Sequence, residues 1–390
     1  MHQQERHDVI VVGGGPAGSA AASLLSRSGA RVLLLERRRP PREKLCAGLL
    51  TEKTRQALER IFSETPATLT AGGILLGHGS GYRMTFCNRP VFSGQSPLRF
   101  DFAERSLLDA RLLDHARESG ARVETDEAVV AVDPLLGEVR TASGASHRAS
   151  VVIGADGVNS RVRRCFPPQA LSRRQWRKGL AASVEIVGPS RDFPGLDTRL
   201  GVHFGIVDQG YAWTFPVGDR VVAGMCALPG GRGGKNIARL FREFLETAGY
   251  TGEERFRGHP LPYGNYLSVP AYKRVFLAGD AAGFADPLLG EGIFYALRSA
   301  ELAANSLCQT GASSHSAYVK AVAAHLLPDL YWARKTRGLL LLGMRTLGPS
   351  AMGRMLSTGQ NRILEIIHGR RGFTGGRKPA VAQSRAEEKS

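Results

Sequence analysis

The residues best able to do chemistry lie in four short stretches. In DVIVVGGGPAGSAAASLLSRSGARVLLLE (Asp8–Glu36), Gly13, Gly15 and Gly18 form a G-x-G-x-x-G run between two short aliphatic strands, and Glu36 ends the second. Gly13 permits a tight turn, Gly15 lets backbone approach a pyrophosphate, and Gly18 lets helix and strand pack closely. A helix N-terminus then faces the phosphates, and the Glu36 carboxylate stands at the interval suited to ribose hydroxyls. A dinucleotide is the expected ligand. Arg37, Arg38 and Arg39 follow directly, and admit an extra ribose phosphate, stacking on adenine, or a plain basic loop.

The second stretch, EKLCAGLL (Glu43–Leu50), sets a cysteine before Ala47 and Gly48 just past that strand. Cys46 is read either as a small apolar filler or as a thiol facing a reactive cofactor. The third, GADGVNSRVR (Gly154–Arg163), carries Asp156 and Gly157, and Asp156 taken alone is also a plausible turn residue. The fourth, LAGDAAGFADPLLGEGI (Leu277–Ile293), sets Asp280 after a strand end. Its Gly290 and Gly292 allow backbone N–H groups to approach a ligand where a helix begins, and the helix dipole there favours negative charge.

These residues need elements to hold them. Asp8–Val12 and Arg31–Leu35 around an alanine-rich helix make a βαβ unit, hence parallel strands with a right-handed crossover. Leu108, Leu112 and Ala116 recur at four-residue spacing in a helix over 104–119. Strands are expected near 128–132, 149–153 and 275–278, and helices over 235–248 and 293–306. From about 181 to 228 extended segments with turn signals suggest an inserted antiparallel sheet. Residues 318–355 read as mostly helical, interrupted by Pro328 and Pro349, and the tail from Gly369 as disordered.

Together, the three Gly-rich signatures resemble those of p-hydroxybenzoate hydroxylase-type flavoproteins, over roughly residues 8–305. The resemblance implies an α/β fold: a Rossmann-like FAD-binding domain, an inserted antiparallel-sheet substrate domain and a helical C-terminal region. The expected boundaries are 1–78, 99–175 and 265–308 for the FAD domain, 79–98 and 176–264 for the sheet domain, and 309–368 for the helices, followed by a 369–390 tail. The cofactor contacts it implies are Gly13, Gly15, Ala17, Gly18, Glu36 and Arg37, then Cys46, Ala47 and Gly48. They continue with Arg105, Val129, Asp156, Gly157, Asp280, Gly290, Gly292 and Ile293. Arg105 is alternatively a helix-surface residue. No second Gly-rich βαβ unit exists for a nicotinamide, so NAD(P)H or another donor would dock transiently.

GYAWTFPVGDRVVAGM (Gly210–Met225) resembles the substrate motif of geranylgeranyl reductases. Strand alternation puts Tyr211, Trp213 and Phe215 on one face, which suits either an isoprenoid chain or an ordinary sheet core. With Pro216 they are the expected substrate contacts. The resemblance implies saturation of prenyl C=C bonds by hydride from reduced flavin, in a water-poor site. It makes Cys46 the candidate proton donor or a shaper of the pocket, while a bound water or Tyr211 are other conceivable donors. The family has Cys-Gly-Gly where this chain has Cys-Ala-Gly, and Ala47 would resist a positive φ. An aromatic monooxygenase or flavin halogenase of the same fold is the alternative.

Composition sets outer bounds. The 390 residues, 43% hydrophobic and 22% charged, suffice for a large core. Five scattered cysteines lack metal-ligand spacing, so no metal is expected and reduced thiols in a cytoplasmic protein are. The net charge of +17 favours anionic partners. No nucleic-acid module is present. That leaves a solvated basic surface or an anionic membrane: Arg334, Lys335, Arg337 and Arg345 around GLLLLGM could lay a helix on the inner face of a bilayer. A prenyl lipid or quinone is the expected partner, and the oligomeric state is left open.

Overall fold

The computed structural model describes residues 7–169, 173–234, 236–253, 255–310 and 314–373. Aliphatic runs His7–Val12 and Val32–Glu36 pair in parallel, with Val11 opposite Leu34, and Ser146–Gly154 flanks the first strand on its other side. Strands Arg122–Thr125 and Val275–Leu277 extend this sheet outward, and a short antiparallel edge strand, Ala271–Tyr272, ends it. Both faces of the central strands are covered, so His7–Val12 and Val32–Glu36 are mostly apolar and buried. Helix Pro16–Arg27 packs between helices Arg105–Glu118 and Ile293–Thr310. Its Ala20, Ala21 and Ala22 are fully buried, as close helix–sheet approach requires.

The second sheet has eight strands, in the order Arg257–Pro262, Leu180–Pro189, Arg220–Ala227, Gly210–Val217, Leu200–Phe204, Leu75–Phe86, Arg89–Ala103 and Leu49–Leu50. It is antiparallel with one exception: Leu200–Phe204 runs parallel to Tyr82–Phe86. Leu75–Phe86 begins before residue 79 and Arg89–Ala103 ends past residue 98, and the whole hairpin lies in this second sheet. One face of the sheet packs under helix Ile237–Thr247 through Phe241, Phe244 and Leu245.

The other face meets the C-terminal helices. Pro328 and Pro349 do interrupt helical structure, by starting helices: each lies in a first turn, of Leu327–Thr346 and of Gly348–Thr358. A missing N–H costs nothing there. Helix Leu327–Thr346 bridges both cores, with Leu330 in the first and Leu340, Leu341 and Met344 in the second. Most of the expected disordered tail lies outside the described residues.

Candidate active site

The first glycine turn is dictated by contact distances. Gly13 has φ +103°, and a Cβ there would stand 2.5 Å from the Ala155 carbonyl oxygen; one on Gly18 would stand 1.8 Å from that of Gly13. Gly15 caps helix Pro16–Arg27 in extended conformation. Glu36, 3% exposed, accepts hydrogen bonds from the N–H groups of Gly14 (2.6 Å) and Arg38 (3.1 Å). The Glu127 N–H donates to the Glu36 carbonyl at 3.0 Å, which brings buried Val129 to the same edge.

The three signatures converge on this turn. Asp156 Oδ2 accepts from the N–H groups of Arg161 (2.6 Å) and Val162 (3.2 Å), while Oδ1 is buried with no partner and burial pushes the carboxyl upward. Gly157 next to it has φ +77°. A Cβ on Gly279 would lie 3.2 Å from Ala17 Cβ, and one on Gly292 would lie 3.5 Å from Asp280 Oδ1. A glycine cradle at a helix N-terminus, a buried carboxylate and an unpaired Asp156 oxygen fit FAD.

Two arginines here were given no role by the sequence. Arg37, Arg38 and Arg39 are exposed, whereas Arg42 folds back to within 3.4 Å of Glu36 and 3.6 Å of Asp109. Its guanidinium lies 3.7 Å from where a Gly15 Cβ would be. Arg163 clamps two signatures together, donating to the carbonyls of Ala281 and Val158, both at 2.7 Å, over the Trp176 ring. Burial lowers it to about 10.

The cysteine loop is pinned at Gly48. Its φ is +70°, its carbonyl accepts from Ala103 N–H at 2.9 Å, and a Cβ would sit 2.0 Å from the Ala103 oxygen. The Gly48 N–H points back to Cys46 Sγ at 3.4 Å. The anticipated strain at Ala47 does not arise, because the left-handed conformation falls on residue 48 and not on 47. Arg105, first residue of its helix, is buried, bonds Asp109 Oδ1 at 2.8 Å, and reaches the Cys46 thiol. Glu185, from the sheet, brings its carboxyl to the Cys46 backbone N–H and to Arg105.

The loop at 286–292 is held from several directions. Tyr211 Oη donates to the Leu289 carbonyl, Tyr263 Oη to that of Leu288 (2.9 Å), and Arg337 to those of Pro287 (2.9 Å) and Tyr263 (2.6 Å). Asp286 Oδ1 accepts from the N–H groups of Leu288 and Leu289, both at 2.7 Å. Glu291 takes Thr51 (2.6 Å), Thr54 (2.9 Å) and Lys53 (2.6 Å). Gly290, at φ +72°, lies against Tyr211, and Ile293 opens helix Ile293–Thr310. Arg337 is thus buried against this loop and does not face a membrane: two backbone carbonyls and the Tyr263 ring hold its charge inside.

Between the two loops opens a cavity of about 450 Å³. It is lined by Cys46 to Leu49 and Gly290 to Ile293, by Tyr211, Trp213 and Phe215, and by Ile363 and Ile367 of the C-terminal helices. Pro216, on the other face by alternation, is not among the lining residues.

A family model described as FAD binding domain matches residues 6–195. A menaquinone reductase of Mycolicibacterium smegmatis is 30% identical over 336 residues, 80% of each chain. The chain belongs to the geranylgeranyl reductase family of FAD-dependent oxidoreductases. A digeranylgeranylglycerophospholipid reductase of Methanocella arvoryzae is 29% identical over 215 residues, 52% of this chain and 53% of that one. Among solved structures, a geranylgeranyl bacteriochlorophyll reductase-like protein of Thermoplasma acidophilum superposes with TM-score 0.75 at 20% identity, covering 95% and 94% of the two chains. The 2-methyl-3-hydroxypyridine-5-carboxylic acid oxygenase superposes with TM-score 0.66, also at 20% identity, over 96% and 99%. These likenesses establish the fold, which family reductases share with oxygenases.

Proposed function

We propose that this protein is an FAD-dependent reductase that saturates C=C bonds of a prenyl chain carried by a lipid or quinone. The observation that carries the reading is the apolar cavity, with the Tyr211–Trp213–Phe215 face along its wall and the Cys46–Gly48 and Gly290–Ile293 loops at its end. Gly13, Gly15, Gly18, Glu36, Asp156 and Asp280 would hold the dinucleotide, and the loop backbones its isoalloxazine ring. Reduced FAD bound there supplies hydride to an alkene carbon.

The chain's own residues do the rest. Aromatic and aliphatic walls exclude water and align the alkene, and Tyr211, tied to the Leu289 carbonyl, fixes the loop that would hold the ring. Electrons come from NAD(P)H or another small reductant docking transiently. The substrate is membrane-borne, and the exposed Trp332, Leu339 and Leu342, with Lys335, form the surface that meets an anionic bilayer. Among the described residues no helix is long and apolar enough to cross one.

Purified protein is reduced chemically without oxygen and given a menaquinone or geranylgeranyl diphosphate. Products heavier by two hydrogens per bond are expected. Strict dependence on O₂, with an oxygen or halogen atom incorporated, would overturn the reading in favour of monooxygenase or halogenase chemistry.

A further inference from the structure

We infer that Glu185 is the general acid of the alkene reduction, delivering to one carbon the proton that complements hydride arriving at the other. The inference rests on the reductase reading above. Glu185 lies in strand Leu180–Pro189, far from Cys46 in sequence, yet its side chain lines the cavity at the cysteine-loop end and is 5% exposed. Its carboxyl faces the Cys46 backbone N–H and the Arg105 guanidinium. The Trp213 indole, its Nε1–H buried, stands beside it.

The surroundings keep this acid protonated. Burial pushes Glu185 up to about 8, and no cation is dedicated to it. Arg105 is matched by Asp109 at 2.8 Å. Arg257, opposite Glu185 in register, turns outward to Glu43.

The other acids lining the cavity have different duties. Asp286 accepts two backbone N–H groups, Glu291 is paired with Lys53, and Asp329 lies on the Lys53 side. The Tyr211 hydroxyl is committed to Leu289, and burial holds it well above 10. Glu185 alone of these sits where the cysteine loop and the aromatic wall meet.

The step balances. A reduced cofactor held there would supply one hydride, which carries both electrons, and one alkene carbon gains it. The other takes H⁺ from the Glu185 carboxyl, two C–H bonds replace the π bond, and the cofactor is left oxidised. The carboxylate formed is stabilised by Arg105 and regains its proton from water between turnovers. Cys46 acts as a positioning residue, its N–H holding the carboxyl in line.

Glu185→Gln preserves size and removes the proton. It should keep FAD absorbance while single-turnover alkene saturation falls about 100-fold or more, with Glu185→Asp recovering part. Wild-type turnover should decline as pH rises past about 8, and Cys46→Ala should retain that profile. As a readout independent of turnover, infrared difference spectra of substrate-free protein should show a protonated carboxyl band at pH 7. The band should be lost at alkaline pH and absent from Glu185→Gln. Turnover in Glu185→Gln within a few-fold of wild type, or a Glu185 already ionised at pH 7, overturns the assignment. If Glu185→Gln cannot hold FAD, the wild-type pH profile and infrared band still decide. Failure of wild type to saturate any alkene instead removes the reductase reading, and this role with it.

Discussion

Trp213 lies flat on Gly224, its cross-strand partner, so closely that a Cβ on the glycine would stand 2.1 Å from the indole Cζ2. The missing side chain sets how far the indole sits from the cavity. Gly224→Ala should push the ring inward, at about 1–3 kcal/mol of overpacking. We expect FAD binding to survive and the KM for a prenyl substrate to rise, most steeply for the longest chains. A series of chain lengths assayed against wild type checks this.

The cysteine loop tolerates a methyl at residue 47 and not at 48. Ala47→Gly should change stability by no more than about 1 kcal/mol and leave the flavin spectrum intact. Gly48→Ala meets the Ala103 oxygen and a positive φ, so it should cost more than about 1 kcal/mol and lower FAD occupancy. Denaturant unfolding and the flavin-to-protein absorbance ratio measure both.

Glu185 has a thermodynamic signature separate from catalysis. Its folded pKa is raised to about 8, so between about pH 4.5 and 8 the native state binds more protons than the unfolded state. Stability from this group is therefore full below the unfolded pKa and falls as pH rises through the window, by up to about 1.4 kcal/mol per pH unit. Glu185→Gln removes that slope. At pH 8 the variant should melt higher than wild type, by an increment that shrinks as pH falls to 5.

Arg337 holds two buried carbonyls of the flavin-side loop and its neighbouring strand. Arg337→Met leaves both unpaired, which should cost about 2–5 kcal/mol and loosen FAD. Both bonds leave one nitrogen, Nη1, so lysine should recover part of the loss but not the planar group's contact with the Tyr263 ring. Thermal melting with and without added FAD separates the stability and cofactor effects.

Leu339 and Leu342 are 68% and 58% exposed on one stripe of the bridging helix. Replacing both with glutamate should abolish sedimentation with anionic vesicles and leave FAD content unchanged. Wild-type binding should weaken as ionic strength rises, because its basic part is screened.

Much of the glycine turn was legible because it is local chemistry. The glycines at 13, 15 and 18, with Glu36, sit on one βαβ unit whose geometry follows from sequence spacing, and strand alternation alone put Tyr211, Trp213 and Phe215 on one face. Arg42 was not legible, since nothing in sequence separates it from Arg37, Arg38 and Arg39; only the fold of the loop returns it to Glu36. Arg337 read as an exposed base, facing either solvent or a membrane, because its helix looks basic and apolar by composition. Its burial depends on two carbonyls brought from Tyr263 and Pro287.

The amino-acid sequence by itself determined the glycine turn and the aromatic face, because each depends on residues within a few positions of one another, and the family through three such short stretches. Tertiary structure alone decided what surrounds Cys46. Arg105, Glu185 and Gly48 reach that thiol or its backbone from a helix, a sheet strand and a turn. No local pattern encodes which strand of the second sheet will carry its acid to that loop. Burial then sets the charge state of Glu185, and burial is a property of the assembled fold.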